Sequence, residues 1–227
     1  MKDKNYYENS LYPLQNIIFS ILNRQGGLFY LTGGTALSRF YFNHRYSDDL
    51  DFFSKGEIKE FKRNIAEIVR MLPQGISCEV ETISNTFARI IVKRNETYLK
   101  VDFVNDVVFR WGEIKEFALF KFVDNEINIL ANKIDAIERY EVKDIVDIWV
   151  IARNRSFVWK DVFEITLKKA LIEPINISKV IKIMPEKELG LINWTNKIAS
   201  AAIYKDLQVI AKNILLGEKN SLFPEIL

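Results

Sequence analysis

Apolar residues recur at helical spacing over residues 8–24, where Leu11, Leu14, Ile18, Ile21 and Leu22 share one face. Gly26-Gly27 stops that pattern. Residues 28–31 then read as a short buried strand, followed by Thr32-Gly33-Gly34-Thr35 and a helical stretch over 36–42. Asp49-Leu50-Asp51-Phe52-Phe53 alternates with period two, as a strand with one buried face does. Ile58, Phe61, Ile65, Ile68, Val69 and Leu72 predict an amphipathic helix over 57–72, closed by Pro73 and Gly75. Three more strands are predicted at 76–83, 87–93 and 97–104, with Asn85 and Arg94-Asn95-Glu96 in the turns between them. From about residue 126 the period is helical throughout. Ile127, Leu130, Ile134 and Ile137 form one stripe, Ile145, Ile148, Trp149 and Ala152 another, and further helices are expected over 160–172, 176–184 and 197–216.

This order predicts an α+β protein, a mixed sheet with flanking helices followed by a helical C-terminal half, with a boundary near residue 125. Composition alters that picture little. A net charge of +2 over 227 residues does not by itself argue for a nucleic-acid partner, though it leaves room for a local basic patch. The single cysteine, Cys78, excludes an internal disulfide and suits a reducing compartment; it is expected to act as a small buried hydrophobe. No apolar run approaches the length of a membrane span, and Pro13, Gln15 and Asn16 interrupt the N-terminal one. A cytoplasmic protein with no membrane segment and no signal peptide is expected.

The stretch LTGGTALSRFYFNHRYSDDLDFF, residues 31–53, brings chemistry into the pattern. Gly33 and Gly34 carry no β-carbon, so the backbone there can approach a phosphate closely. A helix starting just beyond can aim its first amides and the Thr35 hydroxyl at an anion. Asp49 and Asp51 are two apart on a strand and face the same side, with Leu50 and Phe52 directed at the core. Paired carboxylates beside a phosphate turn suit Mg²⁺, a hard ion shared with substrate phosphates. Two such ions about 3.5–4 Å apart can activate a hydroxyl and neutralise leaving pyrophosphate. Asp102 is the candidate third carboxylate, because Leu99, Val101 and Phe103 alternate inward and leave Lys100 and Asp102 on the other face. Asp106 is its rival, beyond the strand. Asp48 has the wrong parity for a ligand. No Gly-Lys-Ser/Thr follows the glycine turn, which excludes a P-loop, and Phe53 and Gly56 exclude an EF-hand.

The glycine turn, helix and D-x-D strand together resemble the signature of the polymerase-β-like nucleotidyltransferase superfamily. Within it, GGTAL followed by HRYSDDLDFF resembles the AbiEii/AbiGii-type toxin nucleotidyltransferases. The positions that carry the resemblance are Gly33, Gly34, Thr35, Arg45, Ser47, Asp49 and Asp51. The helical half adds Lys133 in ANKIDAIERY and the run Lys143-Asp144-Ile145-Val146-Asp147. The resemblance spans about residues 28–150 and implies a nucleotidyltransferase catalytic domain over 1–125 with a helical domain over 126–227. It implies metal at Asp49, Asp51 and Asp102, nucleotide at Gly33, Gly34, Thr35, Arg45, Ser47 and Lys133, and Lys133 and Asp147 as further catalytic residues. The implied cofactor is a pair of Mg²⁺ ions, with Mn²⁺ as the alternative. The implied reaction moves an NMP from an NTP to an RNA acceptor, tRNA in several branches. The protein would then be a toxin countered by an antitoxin, itself protein or RNA.

Taken alone, several of these residues have plainer readings. A lysine on a helix face, such as Lys133, is ordinarily solvated. Asp144 and Asp147 are three apart and can share a helix face, where either suits the N-terminal dipole. His44, the one histidine, reads as a loop residue. Arg110-Trp111 falls in an apparent loop and is a candidate RNA contact. Arg39, Arg45, Arg89, Lys93, Arg94, Lys100, Arg139, Lys143, Arg153 and Arg155 are the residues from which a basic acceptor surface would be built. Transfer to a protein or small-molecule hydroxyl, and nucleotide binding without chemistry, are the alternative functions.

Overall fold

The computed structural model describes residues 2–105 and 109–224, which form two compact units. The second unit takes Phe42–Arg45, Phe109–Gly112 and the chain from Glu126 onward, and the first takes the other described residues. Among the described residues no helix is long and apolar enough to cross a membrane.

The first unit opens with a short helix α1 (Lys4–Tyr6), capped by the Asp3 carboxylate on the Tyr6 N–H at 2.9 Å. A π-helical turn, Tyr7–Leu11, joins it to α2 (Tyr12–Arg24). Pro13 has no N–H and its ring crowds the carbonyl four residues back, so the wider turn just before it has a physical cause. Next come β1 (Phe29–Thr32), the four-residue helix α3 (Gly33–Ala36), β2 (Leu50–Ser54) and α4 (Phe61–Arg70). The strands β3 (Ser77–Ile83), β4 (Phe87–Arg94) and β5 (Thr97–Val104) complete the unit. The helix expected over 57–72 is shorter than its apolar pattern, because Ile58 is held in a loop by the Asn105 side-chain amide, which accepts from the Ile58 N–H at 2.9 Å and donates to its carbonyl at 3.1 Å.

The five strands form one sheet in the order β1-β2-β5-β4-β3. Only the β2/β5 pair is parallel. Phe52 on β2 faces Phe103 on β5 in register, and the two rings stack at 5.5 Å. Phe19 from α2 and Phe61 from α4 close over the same aromatic layer through Phe52 and Phe29. All of these rings are fully buried, and each contributes about 1.5–3 kcal/mol. Because side chains alternate along a strand, the register that stacks Phe52 on Phe103 also sets Asp51 beside Asp102 on the opposite face. At the far edge, β3 is mostly exposed, and there Cys78 is half-buried rather than buried. Glu79, Glu81 and a bulge at Val80/Thr82 break that edge as a template for other strands.

In the second unit α5 (Glu126–Ala136) and α6 (Val142–Asn154) are joined through a 3₁₀ turn and Tyr140, which adopts a left-handed conformation. Helices α7 (Trp159–Leu167), α8 (Pro174–Ile183) and α9 (Ser200–Leu216) follow. α6 is buried on all sides from Asp144 to Ala152, so it forms the core of this unit. Two of those nine buried residues are aspartates, which need partners.

Candidate active site

β2 begins at Leu50, so Asp49 leads into the strand and Asp51 is its second residue. Asp51 lies across from Thr32 on β1 and from Asp102 on β5. Adjacent strands are about 4.8 Å apart, which makes the Asp51 and Asp102 carboxylates lateral neighbours. Gly33 has φ +70°, and a β-carbon there would stand 2.9 Å from Asp51 Oδ2. Left-handed backbone and lack of space both demand glycine, so the turn is fitted directly against the carboxylate. Gly34 is buried behind it.

Thr35 and Ser47 fix the segment that leads to Asp49. Thr35 Oγ1 bridges Ser47 Oγ, at 2.8 Å, and the Asp49 carbonyl oxygen. The buried Gln15 amide donates to the carbonyls of Ser47 and Asp48 at 3.2 and 3.4 Å. The Thr35 hydroxyl therefore serves this loop, while the sequence had it aimed at an anion. Asp124, which sequence reasoning missed, is fully buried and accepts from the Thr32 hydroxyl at 2.9 Å and from the Asn125 N–H. It anchors the end of β1 from which the glycine turn departs.

The carboxylates have cationic partners within the sheet. Arg89 on β4, in register with Asp102, holds it with two parallel bonds, Nε to Oδ1 at 2.7 Å and Nη2 to Oδ2 at 2.8 Å. Lys100 Nζ lies 2.8 Å from Asp49 Oδ2. Burial pulls the Lys100 pKa down, but the hydrogen bond and charge of Asp49, and then the charges of Asp102 and Asp51, raise it overall. One ammonium thus sits in the field of all three aspartates. An all-oxygen, carboxylate-rich donor set of this kind fits a divalent hard cation such as Mg²⁺. Among the described residues no three acidic, histidine or cysteine side chains are grouped closely enough to hold a metal together. Asp102 and Asp49 are directed at Arg89 and Lys100 instead. Asp106 lies outside the described residues.

Arg45, Lys133 and Asp147 belong to the second unit and meet there. Asp147 is completely buried. It accepts from Arg45 Nε and Nη2, both at 2.8 Å, and lies 2.8 Å from Lys133 Nζ and 2.9 Å from His44 Nε2. Lys133 also reaches Asp144 Oδ1 at 2.5 Å. Burial would raise the Asp147 pKa, yet Arg45 and Lys133 hold it well below the usual carboxylate range. Burial would lower the Lys133 pKa, yet Asp147 and Asp144 raise it. His44 goes the other way: burial outweighs its bond to Asp147 and lowers its pKa, so the ring is neutral at pH 7. Lys133, expected to be a solvated helix-face lysine, is an interior residue, whereas His44 lies in a loop as expected and is buried there. The spacing of Asp144 and Asp147 is legible in the sequence; what it does not reveal is that every residue of this helix from Asp144 to Ala152 is buried.

Several basic residues counted toward an acceptor surface have other occupations. Arg39 is directed at Gln15 and Asn16, at 3.0 and 2.8 Å, and lies over the Tyr12 ring; burial lowers its pKa to about 10. Arg153 pairs with Asp206 and Arg155 with Glu126. Trp111 is half exposed, and Lys168 Nζ stands over its ring at 5.9 Å and over Phe109 at 4.9 Å.

A five-stranded mixed sheet carrying a glycine turn against paired aspartates, followed in sequence by a helical half, is the fold of a polymerase-β-like nucleotidyltransferase, and the family match gives the class. Residues 20–200 match the family described as "Nucleotidyl transferase AbiEii toxin, Type IV TA system", and the chain belongs to that family. In fold it is similar to JHP933 from Helicobacter pylori, with a TM-score of 0.67, 17% identity, and 95% of this chain and 94% of that one covered. It is also similar to MenT4, a nucleotidyltransferase toxin from Mycobacterium tuberculosis, with a TM-score of 0.55, 15% identity, and 91% and 82% covered. No curated protein matches the sequence. The chain is thus an enzyme of the nucleotidyltransferase class, in a family typically dependent on metal. Its membership implies an NTP substrate and an antitoxin.

Proposed function

We propose that the protein transfers an NMP from an NTP to an RNA acceptor, tRNA being the first to test, and acts in this way as a cytoplasmic toxin. The observation that carries the reading is the register of β2 on β5, which sets Asp51 beside Asp102 while the Gly33 turn lies against Asp51. Asp49, Asp51 and Asp102 would hold two Mg²⁺ ions, with Mn²⁺ as the alternative. Bound there, the ions would supply charge neutralisation for the transferring phosphoryl group and for the departing pyrophosphate. Gly33 and Gly34 bring bare backbone to the phosphates, and Thr35 with Ser47 hold the Asp49 loop in register. The family resemblance is what supports a nucleotide-binding role for Lys133 and Arg45, and within the second unit Asp147 positions them both. Support for RNA comes from the family resemblance and from Trp111 with Lys168, an exposed ring and cation of the kind on which bases stack.

The test is incubation of the purified protein with each labelled NTP, Mg²⁺ and total RNA. Label in a tRNA-sized band supports the reading. Label in protein moves the acceptor to a side-chain hydroxyl, and label nowhere, with NTP still bound, leaves a binding module.

A further inference from the structure

We propose that Arg89 and Lys100 are built-in counter-cations that compete with metal for Asp102 and Asp49, so that the free protein binds metal weakly. The inference rests on the reading of these aspartates as metal ligands. Its basis is the way the sheet commits the carboxylates. Arg89 engages both oxygens of Asp102, and register fixes the pair directly across β4 and β5. With both oxygens in a guanidinium fork, Asp102 has its strongest lone-pair directions occupied. Lys100, on the same strand face as Asp102, takes Asp49 at 2.8 Å. These two cations occupy two of the three ligands, and no described trio of ligand-type side chains stands ready for an ion.

Such pairing follows from electrostatics. Three aspartates on one sheet face repel one another, and two fixed cations relieve that repulsion without any ion. A metal must then displace a neutralising partner as well as shed water, so its net gain is small. A metal that arrives with a nucleotide triphosphate brings anionic oxygens, and these give the released Arg89 and Lys100 new partners. Metal and nucleotide therefore bind together better than either binds alone, and Arg89 and Lys100 act as positioning residues.

The experiment is calorimetric titration of the full chain with Mn²⁺ alone, without nucleotide, for the wild type, Arg89→Met, Lys100→Met, Arg89→Lys and Asp51→Asn. Arg89→Met and Lys100→Met should each bind Mn²⁺ roughly tenfold more tightly, the scale on which one adjacent cation shifts the affinity of a carboxylate for a proton. Arg89→Lys, which keeps the charge, should stay near the wild type. Arg89 and Lys100 are both partly exposed, so both variants should fold, and circular dichroism checks each. Unchanged or weaker Mn²⁺ binding in Lys100→Met and in folded Arg89→Met overturns the inference, provided Asp51→Asn abolishes binding. If Asp51→Asn binds Mn²⁺ like the wild type, the metal-ligand reading fails, and the inference with it.

Discussion

Each unit holds a cluster of aspartates with cations, and the two differ in solvent. In the first unit Asp49 and Lys100 keep 39% and 35% of their side-chain surface, and water can replace either partner. In the second, Asp147 keeps none and Lys133 only 12%. Water at the first cluster makes its pairs exchangeable, as the proposed uptake and release of phosphate and metal there requires. The second cluster has no such freedom. Two aspartates, an arginine and a lysine balance one another there, and removing any one leaves an uncompensated charge in the interior. Residues of similar chemistry thus form exchangeable pairs in one place and fixed struts in the other.

The sharpest way to break this comparison is Asp147→Asn. It should cost about 3–5 kcal/mol in urea denaturation, since Arg45 and Lys133 would lose their buried counter-charge. A loss under about 1 kcal/mol would place Asp147 among surface-like residues. Asp51→Asn should do the reverse, lowering nucleotidyl transfer roughly a hundred- to a thousandfold. Its stability should stay within about 1 kcal/mol of the wild type, read by the same denaturation. Lys133→Ala should destabilise by about 1.5–3 kcal/mol, because Asp144 and Asp147 each lose a charged hydrogen bond. The solvated lysine expected from sequence would have shown almost no loss.

The smallest effect concerns His44. Unfolded, it takes a proton near its ordinary 6.5; folded, its pKa is lower, so it does so only at lower pH. As pH falls from about 7 to 5 the unfolded state binds more protons, and stability should drop by up to about 1.4 kcal/mol per pH unit. It is the only histidine, so His44→Gln should flatten the melting temperature over that range. A wild-type protein whose melting temperature is already flat there would contradict the buried neutral ring. Asp147, with its depressed pKa, contributes stability that is lost only in stronger acid, as pH falls below its ordinary 3.8.

The alternation at 49–53 and 97–104 made the first cluster legible in the sequence, because period two alone decides which side chains share a sheet face. The strand register was not legible. That Asp51 sits beside Asp102, and that Arg89 faces it, depends on which strands are neighbours, and non-local pairing leaves no local mark. The second cluster was legible only through family resemblance. Helical spacing shows that Asp144 and Asp147 share a face, but gives no sign that this helix is buried on every side. Arg45 is as ambiguous: its guanidinium ends in the interior, where the motif had suggested a phosphate contact.

The parallel pairing of β2 with β5 also has a consequence in time. Asp51 and Asp102 sit on strands separated in the chain by α4, β3 and β4. Contacts between such distant segments form late, after the entropy of closing the intervening loop has been met. A ribosome adds about 5–20 residues each second, so for several seconds the growing polypeptide carries the glycine turn and the D-x-D strand without Asp102 beside them. The pairing of Asp51 with Asp102 is complete only when β5 has emerged and found its place in the middle of the sheet.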